Sequence, residues 1–239
     1  MNQKQTIKIA LAGNPNVGKS TLFNTLTGLK QHTGNWPGKT VILAKGSFSY
    51  KGKDYTIYDL PGTYSLLSNS TDEEVARDFI VFEKPDITIV VLDATTIERN
   101  LNLALQVMEI TDQVIICINL IDEAKKKGII INENVMMDKL GVPVIKISAR
   151  NKVGINLLLD TIDRMITGNI STTPYQIKYS NEVEEKLKQL IPKMDKIVGD
   201  DISPRWLALR LLDGDESILK TYMRRKQMGE GEEKSDGYK

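Results

Sequence analysis

Cysteine and histidine are nearly missing from this 239-residue sequence, which contains one of each. A single cysteine cannot form an internal disulfide, and it excludes a cysteine-rich metal site. An excess of charge of one sign is also missing, because 32 Lys+Arg stand against 31 Asp+Glu, for a formal net charge of +1. A chain so balanced has no global field that would attract nucleic acid or an anionic membrane.

Long hydrophobic runs are absent as well. The longest, Ile87–Leu92 and Val114–Ile121, have the length of strands, whereas a transmembrane helix needs about 18 or more apolar residues in a row. The first residues, Met1 to Lys8, are polar and lack the apolar core of a signal peptide. With 41% hydrophobic and 26% charged residues, we expect a soluble globular chain that does not itself span a membrane.

Short β-branched runs alternate with helical patterns from residue 6 to about residue 168. This alternation predicts an α/β fold with a six-stranded, mostly parallel sheet covered by helices on both faces. Lys51-Gly52-Lys53 has the composition of a hairpin turn, which adds one antiparallel strand. The predicted strands span residues 6–11, 41–50, 55–60, 87–93, 114–120 and 142–147.

The pattern changes after Gly168. Residues 169–174 are rich in turn formers, and only helical periodicity follows. Ser203-Pro204 has the form of an N-cap followed by a first-turn proline, and a last helix is expected over 215–223. We therefore predict a first domain over 1–168, a small all-α domain over 169–223 and a flexible charged tail over 224–239.

The strongest chemical signal is the segment from Gly13 to Ser20, Gly-Asn-Pro-Asn-Val-Gly-Lys-Ser, which has the form G-x-x-x-x-G-K-S. In this pattern, glycines let backbone N–H groups wrap around phosphates, the lysine reaches the β and γ oxygens, and the serine hydroxyl binds Mg²⁺. A strand precedes the motif and a helix follows it, as a phosphate-binding loop requires. The segment predicts nucleotide binding.

Three further motifs indicate which nucleotide is bound. Asp59-Leu-Pro-Gly62 can hold the Mg²⁺ shell and sense a γ-phosphate. The carboxylate in Asn119-Leu-Ile-Asp122 can accept hydrogen bonds from guanine N1 and the 2-amino group, and a backbone amide in Ser148-Ala-Arg150 can read guanine O6. All four motifs follow predicted strands, where open α/β sheets bind ligands. Together they predict a GTP-binding protein.

With these motifs, the sequence resembles the small GTPases, including Era-like proteins. Four segments are similar to the N-terminal cytoplasmic region of the FeoB family of ferrous iron transporters: Gly13–Asn16, Gly34–Val41 (with Gly-Asn-Trp-Pro-Gly), Asp59–Leu66 and Arg205–Leu212 (Arg-Trp-Leu-Ala-Leu-Arg-Leu-Leu). The resemblance spans residues 6–215. It implies a Ras-like P-loop GTPase fold followed by a helical domain, with a slow GTPase activity that converts GTP to GDP and phosphate.

The motifs and the resemblance together assign individual residues. Nucleotide contacts are assigned to Asn14, Asn16, Val17, Gly18, Lys19, Ser20, Thr21, Asp59, Gly62, Asn119, Asp122, Ser148, Ala149 and Arg150. Catalysis is assigned to Lys19, Asn16 and Thr40, and Mg²⁺ bound with GTP or GDP is assigned to Ser20, Thr40 and Asp59. The resemblance alone implies that Thr40 is the switch I threonine that binds Mg²⁺ when GTP is present, and that Asn16 coordinates a K⁺ ion. Alternatively, Asn16 is a turn residue that hydrogen-bonds its own loop.

The resemblance also implies the partners and the location. It implies that the partner is a membrane domain in the same full-length transporter and that this region lies at the cytoplasmic face of the inner membrane. No nucleic-acid partner is expected. A homo-oligomer stays an open alternative. Two other functions stay open: a soluble Era-like GTPase in ribosome or tRNA maturation, and a binding switch with negligible turnover. An Era-like function usually needs a basic RNA-binding domain, and residues 171–239 carry no net charge.

Two positions depart from patterns common in GTPases. Thr63 stands where Ras-like proteins have a water-orienting glutamine, so we expect slow hydrolysis unless a cation or a partner assists. Leu120 stands where most GTPases have a lysine that packs along the base, so we expect a modest nucleotide affinity.

Overall fold

A computed structural model describes most of the chain. The described residues are 6–28, 31–35, 41–67 and 70–235. They form two compact units, the first ending at Ile177 and the second beginning at Lys178. The boundaries predicted at residues 168 and 223 stay predictions.

The first unit is built on a seven-stranded sheet. Its strands are β1 (Ile7–Gly13), β2 (Gln31–Asn35), β3 (Ile42–Tyr50), β4 (Lys53–Asp59), β5 (Ile87–Asp93), β6 (Val114–Asn119) and β7 (Val144–Lys146). Its helices are α1 (Lys19–Thr27), α2 (Thr71–Phe82), α3 (Ile97–Ile110), α4 (Ile121–Lys126), α5 (Glu133–Leu140) and α6 (Ile155–Ile166).

The strand order is β2-β3-β4-β1-β5-β6-β7. β1, β4, β5, β6 and β7 run parallel to one another, whereas β2 and β3 are antiparallel to their neighbours. The turn between β3 and β4 contains Lys51 at φ 47° and Gly52 at φ 74°, as a two-residue hairpin requires. The predicted α/β class, the mostly parallel sheet and the hairpin are confirmed.

The sheet contains one strand more than the six predicted. The additional strand, β2, has the sequence Gln-His-Thr-Gly-Asn, which lacks the apolar alternation that marks a strand. It exists because its backbone pairs with β3 at the edge of the sheet, from Gln31 opposite Gly46 to Asn35 opposite Ile42. Such pairing depends on tertiary structure and leaves little trace in local sequence.

Apolar side chains cover both faces of the sheet. Strand β5 shows the principle, since Ile89 and Val91 belong to the core shared with α1 and α6, while Val90 and Leu92 belong to the core shared with α2 and α3. Two buried faces explain why β5 and β6 are continuously hydrophobic. The rigid sheet fixes the carboxyl ends of the parallel strands, and the predicted motifs are located at that edge.

The second unit is helical and contains α7 (Asn181–Val198), α8 (Pro204–Leu212) and α9 (Ser217–Ser235). Ser203 caps α8, accepting a hydrogen bond from the N–H of Trp206 at 3.3 Å, which confirms the predicted N-cap. Helix α9 continues past residue 223, so much of the segment predicted as a charged tail is helical. In the part of the chain that is described, no helix is both long and apolar enough to cross a membrane.

Candidate nucleotide-binding site

The loop between β1 and α1 has the backbone geometry of a phosphate-binding loop. Asn16 and Gly18 both have positive φ, 65° and 83°, a conformation that asparagine tolerates and glycine adopts freely. A Cβ atom on Gly18 would lie 2.3 Å from Nδ2 of Asn119, so the position has no room for a side chain. Within the described residues, the exposed Asn16 side chain makes no hydrogen bond, so the alternative bond within its own loop is not observed.

Lys19 and Ser20 meet at one carboxylate. Nζ of Lys19 lies 2.9 Å from Oδ1 of Asp59, and Oγ of Ser20 donates to Oδ2 at 2.8 Å. Lys19 and Asp59 are largely buried, with side chains 10% and 11% exposed. The end of β4 thus presents a carboxylate to the start of α1, where the positive end of the helix dipole lies.

The segment after β4 packs directly on the phosphate-binding loop. The N–H of Leu60 donates to the carbonyl of Leu11, and the N–H of Thr63 donates to the carbonyl of Gly13. A Cβ on Gly62 would lie 3.1 Å from Cα of Pro15. Any displacement at Gly62 therefore changes a contact with the phosphate-binding loop, as a γ-phosphate sensor requires.

Asn119 joins the phosphate-binding loop to the loop that follows β7. It is fully buried; its Nδ2 donates to the carbonyl of Val17 and its Oδ1 accepts from the N–H of Ala149, both at 3.0 Å. Thr25 adds a second link between α1 and this loop, with its hydroxyl 3.2 Å from the carbonyl of Ala149. The motifs that are far apart in sequence therefore form one connected site.

The environment of Asp122 favours the ionised form of its carboxylate, which can only accept hydrogen bonds. Its pKa is lowered chiefly by a hydrogen bond from Ser148, with smaller contributions from the backbone N–H groups of Asp122 and Glu123 at the start of α4. Asn151 donates to Oδ2 of Asp122 at 3.2 Å, while Oδ1 is buried and has no partner among the described residues. This oxygen is an acceptor available to a base.

Asn14 also has buried polar atoms without hydrogen-bond partners. The residue is only 2% exposed, yet neither Oδ1 nor Nδ2 of its amide has a hydrogen-bond partner in the described part of the chain. Burying an unpaired amide is costly, so the side chain is suited to a ligand. Of the other predicted residues in these loops, Val17 and Ala149 are buried, whereas Thr21 and Arg150 are exposed.

One predicted residue cannot be placed. Thr40 lies outside the described residues. The fourteen predicted nucleotide-binding positions are all described, and the structure brings them together around the carboxyl ends of β1, β4, β6 and β7.

Sequence reasoning missed residues that hold the segment after Gly62. Arg99 of α3 stacks on the ring of Tyr64, 4.6 Å from its centroid, and Gln106 accepts from the N–H of Leu66 at 2.6 Å. Arg99 and Gln106 are seven residues apart and so lie on one face of α3. Polar residues on one face of an amphipathic helix are ordinary surface positions, so the sequence carried no signal for this role. Asn151 was also missed, and it lies next to the Ser148-Ala-Arg150 motif.

Two protein-family models match most of this chain. A family model described as "Ferrous iron transport protein B" matches residues 7–162, and a model of the FeoB cytosolic helical domain matches residues 179–236. The Fe(2+) transporters FeoB of Methanocaldococcus jannaschii and Escherichia coli strain K12 are 41% and 39% identical to the chain over 217 residues. These alignments cover 90% and 87% of this chain but only 32% and 27% of the relatives, so the chain spans a third or less of their length.

Solved structures agree with this assignment. The cytosolic domain of the T. maritima FeoB iron transporter in a GDP form superposes with a TM-score of 0.83 at 38% identity, covering 92% of this chain and 85% of that one. The cytosolic domain of L. pneumophila FeoB gives a TM-score of 0.83 at 33% identity, covering 90% and 85%. The matches confirm the predicted P-loop GTPase fold with a following helical domain, and they favour the FeoB resemblance over the Era-like alternative. The chain belongs to the FeoB family, described as ferrous iron transport protein B, and corresponds to its cytosolic region.

Proposed function

We propose that this chain binds GTP and hydrolyses it as the regulatory part of a ferrous iron transporter. The observation that carries the proposal is the convergence of Lys19 and Ser20 on the two oxygens of Asp59, at 2.9 and 2.8 Å. Phosphate-binding and metal-binding groups are thereby assembled at one point. Related T. maritima structures in GDP and GMPPNP forms support the same chemistry.

Guanine specificity follows from Asp122 and its surroundings. Guanine presents two adjacent donors, N1–H and the 2-amino group, and an ionised carboxylate can accept both, whereas adenine lacks this pair. The lowered pKa of Asp122 keeps the carboxylate charged, and its Oδ1 is free to accept. The N–H of Ala149 is already bonded to Asn119, so Asn119 orients the loop that would read guanine O6.

The residues present fit a magnesium ion. Mg²⁺ prefers oxygen ligands and is usually bound by one or two protein groups together with phosphate oxygens. The hydroxyl of Ser20 and the carboxylate of Asp59 supply such oxygens side by side, and we assign Thr40 as a third ligand. When bound, the ion would neutralise negative charge on the β- and γ-phosphates.

Hydrolysis would proceed by in-line attack of water on the γ-phosphate. The ammonium of Lys19 would stabilise charge on the phosphate oxygens, and the N–H of Gly62 would bond the γ-phosphate. Thr63 offers no amide side chain to orient water, so the intrinsic rate would be slow. A K⁺ ion held by the exposed Asn16 would supply the positive charge that an arginine finger supplies elsewhere.

Phosphate release from GTP, measured in KCl and in NaCl, tests this mechanism. We expect faster release in KCl and loss of that stimulation in Asn16→Ala. Binding of a fluorescent GDP analogue serves as the control, because the variant should still bind nucleotide. Equal rates of the wild-type chain in the two salts would contradict the role proposed for K⁺ while leaving GTP binding intact.

The proposed biological role requires the rest of the transporter. We propose that a membrane domain of the full-length protein is the partner, that this region lies at the cytoplasmic face of the membrane, and that the helical domain beginning near residue 169 relays the nucleotide state. Deleting residues 171–239 from the full-length transporter should then abolish the dependence of iron uptake on GTP. Uptake that still follows nucleotide state after this deletion would contradict the relay.

A further inference from the structure

Helix α4 ends in a turn that exposes an isoleucine. Gly128, at φ 70°, reverses the chain, and the N–H of Ile129 bonds back to the carbonyl of Ala124 at 2.9 Å. This C-terminal arrangement closes the helix and directs the following residues outward. Ile130 is 95% exposed. Among the exposed large apolar side chains of the described residues, Ile130 has the largest exposed fraction.

Cations without ion-pair partners lie beside this turn and in a loop that contacts α4. Lys125 and Lys127 lie at the end of α4, and Arg150 and Lys152 lie in the loop after β7. All four are exposed, and none of them forms a salt bridge with any described residue. Lys126, between the first two, is paired with Glu123 at 2.9 Å.

The two groups of cations belong to one surface. Asn151 donates to Asp122 at 3.2 Å, which ties the loop after β7 to the first turn of α4. The pKa of Lys126 is raised mainly by its hydrogen bond to Glu123, and Arg150 opposes that rise, so Arg150 lies within electrostatic range of α4. Val153, 51% exposed, adds a second apolar side chain. We name this the basic–apolar surface: Lys125, Lys127, Ile130, Arg150, Lys152 and Val153.

We propose that the basic–apolar surface docks onto anionic lipid headgroups of a bilayer. Cations next to a protruding apolar side chain match the boundary between headgroups and acyl chains, where charge meets phosphate and the apolar group enters the interface. The surface contains no aromatic side chain on which a nucleic-acid base could stack. The inference rests on the proposed function, in which this chain is the regulatory part of a membrane transporter; the relatives are about three times as long or longer.

Two of the acids near these cations already have cationic partners, whereas the exposed Glu98 of α3 lines the same groove as Ile130. Glu123 is paired with Lys126, and Glu133 of α5 is paired with Lys146 at 2.8 Å. Asp122 faces the proposed base site. The overall charge of the chain is only +1, so the attraction is local, short in range and sensitive to salt.

Co-sedimentation of the chain with vesicles tests the proposal. We expect binding to vesicles made of equal parts phosphatidylcholine and phosphatidylglycerol at low NaCl, much weaker binding at high NaCl, and none to vesicles of phosphatidylcholine alone. Each cation near an anionic surface contributes about fivefold to partitioning. The double variant Lys125→Glu/Lys127→Glu should therefore lose more than tenfold, and Ile130→Gln should lose about tenfold.

A matched control shows whether vesicle binding depends on the basic–apolar surface or on the net charge of the chain. Lys193 and Lys196 of α7 are exposed, and Lys193→Glu/Lys196→Glu changes the net charge by the same amount; we expect it to bind vesicles as the unaltered chain does. GTP binding and circular dichroism should be unchanged in all variants, because none of the altered residues belongs to the proposed nucleotide site. Absence of binding to phosphatidylglycerol vesicles at low salt would overturn the proposal and point to a protein segment as the occupant. Equal losses in the two double variants would overturn it as well.

Discussion

Asn119 donates a hydrogen bond of 3.0 Å from its Nδ2 to the carbonyl oxygen of Val17, a residue 102 positions earlier in the chain. Because the same side chain accepts from the N–H of Ala149, one buried amide positions both the loop that would bind phosphate and the loop that would bind the base. Buried hydrogen bonds of this kind are costly to break, since the groups left behind stay unpaired. Nucleotide affinity should therefore depend on the hydrogen bonds that hold these two loops together as well as on direct contacts with the nucleotide.

Gly18→Ala should disrupt this link. The new Cβ would lie 2.3 Å from Nδ2 of Asn119, and the backbone has φ 83°. Gly52→Ala is a matched control, since Gly52 also has a positive φ, 74°, but has nothing within 4 Å of the added atom. We expect Gly52→Ala to cost about 1 kcal/mol of unfolding free energy, and Gly18→Ala to cost more and to abolish binding of a fluorescent GDP analogue. Equal urea midpoints for the two variants would contradict the steric argument.

Ser20→Ala should separate metal binding from phosphate binding. The variant removes the hydroxyl that bonds Asp59 but leaves Lys19 in place. Mg²⁺ should then slow the release of a fluorescent GDP analogue far less than it does in the unaltered chain, whereas release in EDTA should be similar. Thr25→Ala, which removes another α1 hydroxyl that contacts only backbone carbonyls, should keep the effect of Mg²⁺. An undiminished effect in Ser20→Ala would rule out this serine as a ligand.

Asp122→Asn should change base preference. In the proposed site the carboxylate would accept from two guanine donors, whereas an amide in its place would present an N–H to the guanine 2-amino group, which cannot accept it. Xanthine has an oxygen at that position, so the variant should bind XDP better than GDP, with the loss for GDP on the order of a hundredfold or more. Competition of XDP and of GDP against a fluorescent nucleotide measures the two affinities. A variant that still prefers GDP would show that Asp122 does not read the base.

The four sequence motifs predicted most of the residues that the structure brings together, because each motif encodes a local requirement. Gly18 meets a need for a particular backbone shape and Lys19 supplies a charge, and both needs arise within a few residues. Strand β6, which precedes Asn119, is marked by a continuous apolar run. The polar strand β2 and the Arg99–Tyr64 contact could not be predicted, since both depend on which segments the fold brings together. The burial of Asn14 is of the same kind, because its composition alone is typical of a turn.

In the helical unit, Arg205 of α8 holds Glu184 of α7. Two guanidinium nitrogens contact the carboxylate, Nη1 at 3.1 Å from Oε2 and Nη2 at 3.0 Å from Oε1, and the backbone N–H of Tyr179 donates to Oε1 as well. The Arg205 hydrogen bonds, followed by that of Tyr179, lower the pKa of Glu184 from 4.5 to about 2. A carboxyl whose pKa is lower in the folded state binds fewer protons there than in the unfolded state, so it stabilises the fold at pH values above its ordinary pKa.

The stabilisation from Glu184 should be complete above about pH 4.5 and should disappear as the pH falls toward 2. Trp206, buried in α8, reports on this unit, and Trp36→Phe removes the only other tryptophan. In that background, urea midpoints followed by Trp206 fluorescence should fall between pH 4.5 and 2, and Glu184→Gln should flatten this fall while lowering the midpoint at neutral pH. Glu185→Gln is the control, because Glu185 pairs, among the residues that are described, only with Lys188 on the exposed face of α7. This variant should leave the profile nearly unchanged. Identical profiles for Glu184→Gln and the parent would show that the Arg205 pair does not couple protonation to the stability of this unit.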